Sequence, residues 1–98
     1  MITDLGKNKI VNNILVMIDH CEYKLDGVSQ TVEIQTTKVD ENTLVIYFWL
    51  DDSVKGKITE INLIDKEGDI FASKPDYIDK PDVKGLLISF KFTINEVV

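Results

Sequence analysis

The chain holds one cysteine and one histidine, and these two scarcities remove much of the chemistry open to a small domain. A lone thiol excludes an internal disulfide framework. A lone imidazole leaves no pair of His ligands, and no Ser/His/Asp constellation or glycine-rich phosphate loop accompanies it. Long apolar runs are also missing. The longest, Leu44 to Leu50, is seven residues, far short of the roughly 20 that cross a bilayer as a helix. Asp4, Lys7, Lys9, Asn12 and Asn13 interrupt the place where the apolar segment of a secretory signal would sit, so retention in a cytoplasm is expected. Positive charge is outnumbered, with 11 Lys and Arg against 17 Asp and Glu. A net charge of −6 argues against a nucleic-acid partner, which calls for a basic patch or stripe, and a 29% charged fraction argues against a membrane one. No repeat, low-complexity run or Gly/Ser linker divides the chain, which reads as a single domain over residues 1–98.

What is present is patterned apolar sequence. Thr3 can cap a helix, Asp4 suits its positive end, and Leu5, Ile10, Ile14 and Met17 recur at near-helical spacing. The Asn12-Asn13 pair weakens that helix, and Ile14 to Ile18 reads as a β-rich run. Asp26-Gly27 is a tight-turn signal. After it, Val28, Gln30, Val32 and Ile34 share one strand face, and Val39 to Asn42 turns the chain. Thr43 to Leu50 is the strongest strand, apolar on both faces and therefore central or shared with a partner. Ile58 to Ile64 and Asp69 to Ala72 form a hairpin across Asp65-Lys66-Glu67-Gly68. Ser73 to Gly85, with both prolines, reads as an extended loop. Leu86, Ile88, Phe90, Phe92 and Ile94 then alternate with more polar positions, a half-buried antiparallel strand. The sum is a mainly β, α+β fold: a short N-terminal helix packed on an antiparallel β-sandwich of about six strands.

Candidate sites are few. His20 and Cys21 are adjacent, so on a strand they point to opposite faces and cannot act together; together they also fall short of the four ligands of a structural zinc site. Cys21 is expected in the core. Asp65 to Asp69 surrounds a glycine with carboxylates, but its spacing departs from the calcium loop, and a plain turn is expected. Asp76, Asp79 and Asp82 alternate with Lys74, Lys80 and Lys84, a pattern of solvated surface rather than paired acid–base carboxylates. No cofactor is implied and no enzyme is expected. Tyr47 and Trp49 share one face of the central strand. If Leu44, Ile46, Phe48 and Leu50 face the core, the Tyr47 face is open either to a second layer or to a neighbouring subunit.

Two stretches carry a resemblance. Ile2 to Ile10 opens a short helix with a Thr, a Gly and a following apolar residue. Glu60-Ile61-Asn62-Leu63-Ile64-Asp65, then Gly68, Ile70 and Ala72, then Lys80-Pro81 and a long alternating strand, follow in a second order. Both resemble bacteriophage tail-fibre and tail-collar N-terminal domains, with Asn62 where those domains carry a glycine. The resemblance implies a non-enzymatic structural part of a phage or prophage tail or baseplate, present in the host cytoplasm during assembly and then in the virion tail. It implies contacts with other tail or baseplate proteins and with itself, as a symmetric homo-oligomer and preferentially a trimer. Val45, Tyr47 and Trp49 are the expected contact residues. Two alternatives stay open: a small acidic inhibitor from a mobile element, supported by the −6 charge, and a carbohydrate-binding module using Tyr47 or Trp49.

Overall fold

A computed structural model describes residues 1–74, 78–80 and 85–96. One helix, α1 (Asp4–Met17), precedes eight strands: β1 (Ile18–Leu25), β2 (Val28–Glu33), β3 (Thr36–Asp40), β4 (Thr43–Leu50), β5 (Gly56–Asp65), β6 (Ile70–Lys74), β7 (Ile78–Lys80) and β8 (Leu86–Thr93). All strand pairs are antiparallel. A five-stranded sheet runs β2-β1-β5-β6, with β7 also on β5, and a three-stranded sheet runs β3-β4-β8. The fold is therefore α+β, with a short N-terminal helix packed on antiparallel sheets.

The helix starts where Thr3 turns it. Its backbone is extended, and its hydroxyl accepts the Gly6 N–H at 3.0 Å. A side chain at Gly6 would crowd Ile2 and Thr3, which explains a helix-weakening residue in the first turn. The helix is longer than the expected one. Ile14 to Met17 are helical rather than extended, because Ile14 and Leu15 pack on the core and burial overrides the β preference of a branched run. The buried face also differs. Val11 is enclosed, while Leu5, Ile10 and Met17 are exposed. No turn separates helix from sheet: the Ile18 N–H donates to the Leu15 carbonyl, and Ile18 already pairs with Asp65 as the first residue of β1.

Between the sheets lies one core. Leu44, Ile46, Phe48 and Leu50 from β4, and Ile88 and Phe90 from β8, meet Cys21 and Tyr23 of β1 and Ile58, Ile61 and Leu63 of β5. A bulge keeps β5 in this core. Glu60 adopts φ 49° where the register against β1 shifts, so Ile58, Ile61 and Leu63 all point inward despite unequal spacing. The helix packs on β3 and β4. Its N-terminal end lies beside the β3–β4 turn, where Asn8 Nδ2 donates to the Glu41 carbonyl at 3.4 Å, and Glu96 accepts the Ile2 N–H at 2.8 Å. With the helix prolonging the layer that β1 continues, the molecule extends 47 × 25 × 22 Å.

Two further expectations are corrected. Thr36 to Asp40 is a strand in register with β4, and the turn is confined to Glu41 and Asn42; pairing along the full length of β4 recruits a polar segment that has no strand signal alone. Ser73 to Gly85 is not one loop. β6 reaches Lys74, and Ile78–Lys80 pairs with Gly56–Ile58, because β5 is long enough to hold both β6 and β7 along one edge. Hence the described residues hold eight strands rather than about six.

Candidate interaction surface

Strand β4 has two apolar faces, and among the described residues only one is covered. The inward residues Leu44, Ile46, Phe48 and Leu50 are almost wholly enclosed. Thr43, Val45, Tyr47 and Trp49 point the other way, and register builds them into cross-strand rows. Asp40, Thr43 and Thr93 form one row, Lys38, Val45 and Lys91 the next, then Thr36, Tyr47 and Ser89; Trp49 stands beside Leu87 at the end. Trp49 is 45% exposed and Leu87 51%. Among the described residues, none of α1 or of the larger sheet lines the groove beside Val45 and Tyr47, whose volume is about 420 Å³.

The backbone beneath the face is hydrogen-bonded along β4 and at its end. The Gln35 N–H donates to the Tyr47 carbonyl at 2.9 Å. At one end, the Ile94 N–H donates to the Asn42 carbonyl and Asn42 Nδ2 to the Ile94 carbonyl, both at 2.9 Å. At the other, the Trp49 indole lies directly on Gly85, where any Cβ would overlap the ring. A glycine there leaves room for the ring.

Charge on this face runs against that of the chain. Lys38 and Lys91 flank Val45 from the two outer strands, and neither has an ion pair among the described residues. With one residue of β4 between them, their Cα atoms stand two strand spacings apart, about 10 Å. The surface is thus an aromatic and aliphatic strip flanked by two cations, with the Asp40 carboxylate in the adjoining row.

Val45, Tyr47 and Trp49, singled out in the sequence, fall together on this strip. Leu87, Lys38 and Lys91 join them only through strand register. Leu87 was legible as a member of the polar side of the last strand, but its neighbour was not.

The remaining candidates disperse. Cys21 is enclosed in the core, where burial, aided by the Glu22 charge, pushes its thiol up to about 12. His20 projects from the opposite face and meets Asp19 Oδ2 at 2.8 Å. Asp65 Oδ1 accepts the Glu67 and Asp69 N–H groups, each at 3.0 Å, so this carboxylate closes the hairpin. Among the described residues no group of three His, Cys, Asp or Glu is arranged to hold a metal ion. Asp79 is exposed on β7, Lys74 Nζ lies 5.1 Å from the Phe90 ring centre, and buried Lys80 donates to the Val54 carbonyl. Asp76, Asp82 and Lys84 lie outside the described residues. No helix among the described residues is long and apolar enough to cross a membrane. No protein-family model, curated protein or solved structure matches the chain.

Proposed function

We propose that this domain is a non-enzymatic assembly module of a phage or prophage tail or baseplate, and that it self-associates through the outer face of the three-stranded sheet. The uncovered side of β4 carries the self-association. Val45, Tyr47, Trp49 and Leu87 form one apolar strip on hydrogen-bonded strands, and subunit interfaces favour such aromatics at their centres. The placement in a tail rests on the Thr-Gly opening and the Glu60-to-Ile94 order of turn, short strand and long strand. A trimer is the form that resemblance implies, with other tail or baseplate proteins as further partners. Mass-spectrometric detection of the chain in purified virions, at a stoichiometry matching a ring or fibre position, is the expected result. Consistent absence from particles would overturn the tail placement.

The two lysines favour one second reading. Aromatic rings beside Lys38 and Lys91 would suit an acidic saccharide, stacked on Tyr47 or Trp49 with its carboxylate between the ammonium groups. Saturable binding of uronic or sialic acids on a glycan array, lost in Lys91→Ala, would select it over self-association.

A further inference from the structure

Among the described residues the two sheets have free edges on both sides of the sandwich, and they differ in how well they are guarded. On one side β6 and β8 are tied together: the Phe71 and Phe92 rings meet edge-on at 5.8 Å, and Lys74 sits over Phe90. β7 lies along the same edge of β5 as β6, over Ile78–Lys80. On the other side β3 carries Lys38 and Asp40, charges of the kind that discourage strand addition. β2 is different. From Val28 to Val32 it has no charge and no proline, and its register with β1 is unbroken by any bulge. Every residue but Val32 is exposed. Val28 is 60% exposed although it pairs with Leu25 on the side that faces the core.

We infer that a second copy of this chain pairs antiparallel with the free edge of β2, joining two five-stranded sheets across a two-fold axis at Gln30. The reasoning is geometric. A two-fold axis perpendicular to a sheet keeps each face on its own side, so residues directly opposite must share a face. Centring the pairing on Gln30 satisfies this. Val28 then lies opposite Val32 of the second copy, twice, on the core-facing side, and Ser29 lies opposite Thr31, twice, on the other. These are an aliphatic pair and a hydroxyl pair of the kind that stabilise adjacent strands. Glu33 falls opposite Gly27 rather than another carboxylate. In a chain of net charge −6, this uncharged edge is where two copies approach with least repulsion. The contact uses backbone groups of the larger sheet and none of the strip on the smaller one, so the two contacts fail independently.

Sedimentation of the full chain, as wild type, Gln30→Lys, Gln30→Glu and an equimolar mixture of the two variants, tests it. Lysines or glutamates facing each other at the axis should weaken association about tenfold or more, and mixing should restore it through an opposite-charge pair. Circular dichroism confirms that each variant is folded. An assembly mass unchanged by Gln30→Lys, including a wild type that is already monomeric, would overturn the pairing. So would loss of mass that mixing fails to restore. Tyr47→Ala should leave the restored pairing intact, which separates failure of this edge from failure of the outer strip.

Discussion

Replacing Phe48 by alanine tests whether the two sheets share one core. Phe48 has no exposed surface, lies opposite Ile88 on the inner side of the three-stranded sheet, and meets Phe90 edge-on at 6.2 Å. Removing a ring so enclosed forfeits its transfer free energy and leaves a cavity between layers that cannot close freely, a loss of about 3–5 kcal/mol. Domains of this size have only about 5–15 kcal/mol in total. The expected fall in melting temperature is about 12–40 °C, at about 4–8 °C per kcal/mol. Phe90→Ala should behave alike, and the double variant should reveal a coupling of about 0.5–1.5 kcal/mol from the edge-on pair. Urea titration followed by far-UV circular dichroism, at fixed protein concentration so that self-association does not shift the midpoint, gives all three values. Slopes should match wild type within error. A loss below about 1 kcal/mol for Phe48→Ala would refute the shared core, since a half-exposed ring would then fit the data better.

Three further outcomes are expected. Gly56 has φ 129° and sits against the Asp26 carboxylate, which accepts the Lys57 N–H at 3.0 Å. Gly56→Ala should therefore lower stability by about 1–3 kcal/mol, with Asp26→Ala in the same background recovering only the steric part; a neutral Gly56→Ala would contradict the geometry. Burial holds the Cys21 thiol protonated up to about 12, so the unfolded chain ionises first and holds fewer protons above pH 9. Stability should then fall as pH rises from about 9 towards 12 and be independent of this thiol below that window; thiol reagents should label the native protein only after unfolding, and rapid labelling at neutral pH would contradict the burial. Gly85→Ala should displace the Trp49 indole and change its fluorescence, at a stability cost of about 1–3 kcal/mol; an unchanged emission spectrum would place the ring elsewhere.

Local signals strong enough to act alone were legible in the sequence. Thr43 to Leu50, with no competing polar residue, marks β4 to its ends, and Asp26-Gly27 marks the β1–β2 turn. The alternation from Leu86 identifies the inward side of β8, with Ile88 and Phe90 enclosed. Elements that exist through partners were not. Thr36 to Asp40 is extended because β4 offers it a full register, and Ile78–Lys80 because β5 outruns β6. The helix continues to Met17 because Val11, Ile14 and Leu15 have a core to enter, against the local preference of Ile14 to Ile18. The same division holds for the candidate surface. Three of its residues share one strand and could be read from it, whereas Leu87, Lys38 and Lys91 arrive from neighbouring strands through long-range pairing.

The proposed self-association rests on the outer strip of the smaller sheet. Light scattering of the wild type and of Tyr47→Ala, over a range of micromolar concentrations, tests it most directly. The expected result is a wild-type mass that is a multiple of the single chain and a lower mass for Tyr47→Ala, with the variant's circular dichroism unchanged. A wild type that stays a single chain at every concentration, or an assembly indifferent to Tyr47→Ala and to Trp49→Ala, would contradict it.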